Sequence, residues 1–244
     1  MNFLKDADDP RRRQLILALS AGLLGAGIPG ANAQVANIFG SRPNRLPPGQ
    51  SIYRIAGSAT VNDRPASLQT VIKPGDTVKT AKDSELVFVV NTQAMILRGG
   101  SNVIIEAEKK QESLIVSGLR MLTGALLSVS RNQPMRVRTP TATVGIRGTG
   151  FYIEADPEQS YFCTCYGVTE VESSADPMSK TTVMATQYDR QLDITNSGGA
   201  GNNIRNAPFV NHTDLELAMI ETLVGRTVPF VFGKDAYTAP RRNY

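Results

Sequence analysis

A chain of 244 residues, 41% of them hydrophobic, is long enough to bury a core in one or two domains and reads as globular, not disordered or membrane-embedded. The net charge of +4, from 26 basic against 22 acidic side chains, is too small to argue for a nucleic-acid or anionic-membrane surface. Without tryptophan, and with only 6% aromatics, the chain also lacks the means for a base-stacking platform.

The N-terminus reads as an address. Arg11, Arg12 and Arg13 precede an apolar stretch at 15–28 that is broken by Gly22, Gly25 and Gly27, and Ala31-Asn32-Ala33 follows. A charged start, a short apolar run and a small-residue site predict a secretory signal peptide over 1–33, hence an exported, periplasmic protein. The apolar run falls short of the roughly 20 residues that a membrane span needs, so the mature chain is not expected to cross a membrane itself. Arg12-Arg13-Gln14-Leu15-Ile16 also resembles a twin-arginine signal, and both export routes stay open. Residues 34–50 include Pro43, Pro47 and Pro48 and read as an extended Pro-rich linker.

From residue 51 the rhythm is that of short strands. Turn signals recur at Asn62-Asp63, Pro74-Gly75, Lys82-Asp83, Asn91-Thr92 and Gly99-Gly100, with β-rich runs such as 85–90 and 103–105 between them. Even spacing of short strands predicts a mainly β fold, a sandwich, roll or solenoid-like domain, and argues against βαβ units. The apolar stretch 114–129 is broken by Gly118 and Gly124 and continues as strand.

The stretch 136–154 dictates its own shape. Val137, Thr139, Thr141, Thr143, Val144 and Ile146 are β-branched and favour a pleated surface. Pro140 removes a donor and biases Thr139 toward extended backbone, and Gly145, Gly148 and Gly150 predict bulges or corners. Two or three strands folded sharply onto their neighbours are expected.

These residues resemble the signature of the FecR domain family. Val137, Thr139, Pro140, Ala142, Val144, Ile146, Arg147, Gly148, Thr149 and Phe151 follow its order V-x-T-P-x-A-x-V-x-(I/V)-R-G-T-x-F. Upstream, Gly75, Asp76, Val78, Thr80, Ser84, Leu86 and Phe88 are similar to its G-D-x-V-x-T…S…L-x-F segment, although Asn91-Thr92-Gln93 stands where many members have an Asp-Gly turn. The resemblance implies a FecR-like β domain over 51–155 and a periplasmic regulatory role. Regulators of that family pass a signal from an outer-membrane receptor to a cytoplasmic sigma factor. With no cytoplasmic anti-sigma segment or transmembrane helix in view, the expectation is an exported form acting through an envelope or inner-membrane protein partner.

Beyond 155 a β extension is expected, with strands at 159–166, 181–185 and 191–195 and a flexible Gly-rich loop at 196–206. Thr213 and Glu216 fit a capping box that opens a helix over 213–225, with Leu215, Met219, Ile220, Leu223 and Val224 as its apolar positions and Gly225 as its stop. Residues 239–244 read as a frayed tail.

The chemistry-bearing residues are few. Cys163 and Cys165, the only two cysteines, fall two apart on a strand and so share a face, which suits metal ligation better than a disulfide. The single histidine, His212, sits at the helix entry beside Asp214 and Glu216. Packed on the cysteine strand, it would complete a site for zinc, copper or iron, with room for a carboxylate as a further ligand. The plainer alternative is two half-buried cysteines and an exposed histidine, with Asp214 and Glu216 serving only as caps. A Cys–His nucleophile would also need an orienting group and a cleft, and neither is signalled, so no enzyme is expected. The favoured reading is a non-enzymatic FecR-type binding module. The alternative is a metal-binding or redox protein that uses Cys163, Cys165 and His212.

Overall fold

The computed structural model describes residues 44–131 and 134–231. The leader read over 1–33, most of the linker and the tail at 239–244 lie outside the described residues.

The strands are β1 Ile52–Ala56, β2 Ala59–Val61, β3 Arg64–Pro65, β4 Thr77–Thr80, β5 Glu85–Val90, β6 Gln93–Leu97 and β7 Asn102–Lys110. They continue as β8 Ser113–Ser130, β9 Met135–Arg138, β10 Ala142–Ala155, β11 Gln159–Ser173, β12 Lys180–Ala185, β13 Gln191–Thr195 and β14 Ile204–Ala207. A single described helix, α1 Asp214–Leu223, follows. The fold is thus mainly β with one helix near the C-terminus, as the strand rhythm predicted.

All the strands join one sheet with the order β14-β13-β11-β10-β9-β8-β7-β4-β2-β3, and β5, β6, β1 and β12 branch from it. Pairing is antiparallel except between β8 and β9. The predicted turns supply the reversals. Asn62 and Asp63 both take positive φ, 51° and 63°, the geometry that two-residue hairpins require. Asn91, at φ 55°, turns β5 into β6 without the family's glycine, because asparagine tolerates that region well.

Two long strands organise the sheet. β8 pairs with β7 through its first two thirds and with β6 and β10 through its end. β10 pairs with β9 at 143–146 and with β8 at 149–155. The change of partner falls where the glycines are: the β10–β11 register shifts between Arg147 and Phe151, and Gly148 has φ 61°. A bulge there bends the strand and lets the sheet fold over on itself.

The two faces of the central strands are both buried, by different partners. Leu86, Phe88, Met95, Leu97, Leu126, Phe151, Ile153 and Phe162 enter the inner core, which also takes Val103, Ile105, Val137 and Val144. Their sequence neighbours Val87, Ala94, Ile96, Leu127, Val129, Tyr152, Tyr161, Cys163 and Cys165 point the other way. On that second face Leu217, Ile220 and Leu223 of α1 cover them. Each large apolar side chain so buried contributes about 1.5–3 kcal/mol. Strands buried on both faces lose the clean alternation of polarity, which is why 86–90 reads as a continuous apolar run.

The C-terminal part departs from expectation in three places. β11 runs on to Ser173, and β14 forms at the end of the segment read as a flexible loop. That segment is tied down: Asn203, 3% exposed, accepts from Gly198 N at 2.6 Å, and Asp176 accepts from Gly201 N at 2.6 Å. Its glycines make tight turns whose amides are then captured by side chains. In α1 the capping box is present, Glu216 N donating to Thr213 Oγ1 at 3.2 Å and Thr213 N to Glu216 Oε2 at 3.0 Å. The buried face, however, is Leu217, Ile220 and Leu223, and Leu215 is 59% exposed. Leu215 at the first turn looks outward because Asp214 takes the inward place beside it.

Candidate functional site

The strand alternation of β11 sends Tyr161, Cys163 and Cys165 to the face beneath α1 and Phe162 to the inner core. Both cysteines are free thiols and are fully buried. His212 arrives from the other side, on the short segment between β14 and α1. Asn211 turns that segment with φ 64°, and its side-chain amide donates to Glu154 while its carbonyl accepts from Arg98 Nη2 at 3.2 Å. Thr213, as N-cap, then starts the helix. The imidazole is therefore placed by a turn on one side and a cap on the other.

The structure brings the three sequence-nominated residues together. One ligand atom each from Cys163, Cys165 and His212 lies within 4.8 Å of the others, and all three residues are buried. This corrects the plainer alternative of half-buried cysteines and an exposed histidine: α1 and its entry segment close over the strand face. The neighbouring carboxylates do not join them. Asp214, read as a solvated cap, is fully buried and accepts from Tyr188 Oη at 2.8 Å and from Gln187 Nε2 at 3.2 Å. Glu216 serves the capping box and pairs with Arg98 Nη2 at 2.8 Å.

Aromatic rings wall the site. Tyr152 stacks on the imidazole with centroids 4.6 Å apart, and Tyr188 and Phe209 meet it edge-on at 5.3 and 4.5 Å. His212 Nδ1 lies 2.7 Å from the Val210 carbonyl. A carbonyl only accepts, so Nδ1 carries a proton and donates it to Val210. Gln191 Nε2 donates to the Tyr188 carbonyl at 2.6 Å and lies 3.9 Å from Cys163 Sγ.

The electrostatics separate the two thiols. Burial alone would raise Cys163, but the Cys165 thiol, then His212 and the Gln191 amide, outweigh it and bring Cys163 down to about 6. Burial and the neighbouring Cys163 sulfur push Cys165 well above the ordinary thiol range. Tyr161 and Tyr188 are raised by burial and by the adjacent sulfurs. Chemically this is a closed pocket of two cysteine sulfurs and one imidazole, with Cys163 the more acidic of the two thiols.

The sequence did not single out Tyr152, Tyr188, Phe209 or Gln191. Tyr161 shares the cysteine face by strand alternation. Tyr188 comes from the turn before β13 and Gln191 from the start of β13, paired with Cys163 across the sheet, and neither leaves a local signal.

A second polar cluster anchors the other end of α1. Glu221 is fully buried and pairs with Arg131 Nη2 at 2.9 Å and Arg226 Nε at 2.7 Å, and it accepts from the Tyr166 hydroxyl. Arg131 also lies over the Tyr166 ring, 5.4 Å from its centroid.

Residues 67–167 match the family model described as FecR protein. The match contains Gly75 to Phe88 and Val137 to Phe151, the residues that carried the resemblance, and ends inside β11. Cys163 and Cys165 fall within it and His212 outside. Among solved structures, two crystal structures of a candidate anti-sigma factor from Parabacteroides distasonis ATCC 8503, at 2.50 and 1.65 Å, are similar. Their identities to this chain are 18% and 17%, with TM-scores of 0.42 and 0.41. Each alignment covers 54% of this chain and 58% of the other, so the chain spans little more than half the length of that protein. No curated protein matches the sequence. The FecR match supports a regulatory signalling module.

Proposed function

We propose that this chain is a non-enzymatic FecR-type regulatory module that works in the periplasm through an envelope or inner-membrane protein partner. The FecR match over 67–167 is the observation that carries this reading. The leader pattern at 1–33 supports export. Among the described residues no helix is long and apolar enough to cross a membrane. The non-enzymatic reading is supported by the burial of Cys163, Cys165 and His212, the candidate reactive side chains.

Site-specific photocrosslinking in intact cells tests it, from exposed Leu114 in the β7–β8 hairpin and exposed Met184 on β12. The expected result is a defined adduct to an envelope or inner-membrane protein, with the chain fractionating with the periplasm. A chain retained in the cytosol, or one that forms no adduct from either position, would overturn the proposal.

A further inference from the structure

We propose that Cys163, Cys165 and His212 are the protein ligands of a thiophilic d10 cation, zinc(II) or copper(I), bound beneath α1 where the FecR segment meets the C-terminal extension. The proposal stands independently of partner binding and of export.

Metal–sulfur distances near 2.3 Å and metal–nitrogen distances near 2.0 Å put the ligand atoms of a bound site about 3.5–4 Å apart. The 4.8 Å limit found here requires side-chain adjustment of about 1 Å. Alternate positions on one strand face supply the two sulfurs, so no backbone rearrangement is needed.

The histidine is an independent observation. A metal-bound imidazole typically donates its other ring N–H to a carbonyl or carboxylate, and His212 Nδ1 has that partner in Val210 O. Its Nε2 is buried without a hydrogen-bond partner among the described residues. A buried ring nitrogen that faces the two sulfurs without a geometric hydrogen bond calls for an explanation, and ligation provides one.

The donor set selects the cation. Two sulfurs and one imidazole are soft, which disfavours calcium, magnesium and manganese. Asp214 and Glu154, the nearby carboxylates, are engaged by Tyr188 and Gln187 and by Tyr152 and Asn211. Iron usually takes four thiolates with sulfide, or two histidines with a carboxylate, neither of which this group offers. Zinc(II) neutralises two thiolates but favours a fourth ligand, whereas copper(I) accepts fewer donors.

The location gives the site a consequence. Two ligands belong to the FecR-matched part of the chain and the third to the segment that leads into α1, so occupancy ties the extension to that part. Anything that binds the folded state and not the unfolded one stabilises it. Loading should therefore raise the melting temperature and slow hydrogen exchange at the α1 entry.

The test uses the full chain, reduced and metal-free under anaerobic conditions, titrated separately with zinc(II) and with copper(I). One equivalent should be retained through gel filtration in at least one arm, and the arm that binds more tightly names the cation. X-ray absorption of that loaded wild-type protein should show two sulfurs and one nitrogen. His212→Gln should weaken binding by more than about 100-fold, beyond what the loss of an outer-shell partner costs. Retention of neither cation overturns the proposal, as does coordination by oxygen and nitrogen alone. The wild-type spectrum decides the matter even if the variant fails to fold.

Discussion

Tyr152 lies flat against His212, ring centroids 4.6 Å apart and planes 21° from parallel. The tyrosine belongs to β10 inside the FecR-matched segment and the histidine to the entry of α1, so the stack fastens one to the other. Tyr152 Oη also donates to Glu154 Oε1 at 2.8 Å. Tyr152→Phe keeps the stack and loses that hydrogen bond, for an expected loss of about 1 kcal/mol. Tyr152→Ala loses the ring and leaves a cavity, for about 3–5 kcal/mol. Urea unfolding of the two variants checks the ordering; equal losses would mean the ring is not packed as described.

Arg98 and Arg54 both pair with Glu85, and only one of them should matter. The Arg98 side chain is 11% exposed and also pairs with Glu216 at 2.8 Å, while that of Arg54 is 54% exposed. Arg98→Ala removes a buried cation from two half-buried carboxylates, leaving Glu85 its exposed Arg54 partner and Glu216 its capping contact, and should cost about 1.5–3 kcal/mol. Arg54→Ala should cost less than about 1 kcal/mol, because water screens an exposed pair. Denaturation midpoints compare them directly.

Gly148 and Gly150 look alike in the sequence and differ in the structure. Gly148 has φ 61° and open space where a methyl would project, so Gly148→Ala should cost only the left-handed backbone, about 1–2 kcal/mol. At Gly150 an added Cβ would lie 2.5 Å from Tyr166 Cε1. That ring cannot step aside cheaply, since its hydroxyl is held by Glu221 and its face by Arg131. Gly150→Ala should be clearly the more destabilising, and thermal melts of the two variants would show it.

The FecR signature and the strand rhythm were legible because each rests on local chemistry: β-branched runs, Asn-Asp turns, and a Thr-x-x-Glu helix start. The shared face of Cys163 and Cys165 follows from strand alternation alone. The inward turn of Asp214, the burial of Glu221 and the placement of Tyr188 were not legible, because each depends on a partner far along the chain. Leu215 misled for the same reason: the capping geometry fixed where the helix begins, but packing against the sheet decided which of its faces turned inward. The bound turn at 196–206 looked loose because its composition shows the glycines and not the acceptors that hold them.

Asp176 sets an acid-side prediction. The Gly201 amide, the Ser179 hydroxyl and the Met178 amide hold its carboxyl below the ordinary aspartate value. A depressed folded value means that its contribution is complete above the unfolded-state pKa, about 3.9, and fades as pH falls through the lower folded one. An NMR titration should place the Asp176 midpoint below the ordinary value, and Asp176→Asn should remove that part of the acid dependence. A midpoint at or above the ordinary value would contradict the captured turn.

The most direct test of the closed site beneath α1 is the reaction of reduced, metal-free protein with a colorimetric disulfide reagent. Cys163 and Cys165 are expected to react only as fast as the protein unfolds, both at once, with denaturant accelerating the rate. A fast reaction of either thiol in the folded protein would contradict the burial on which the site depends.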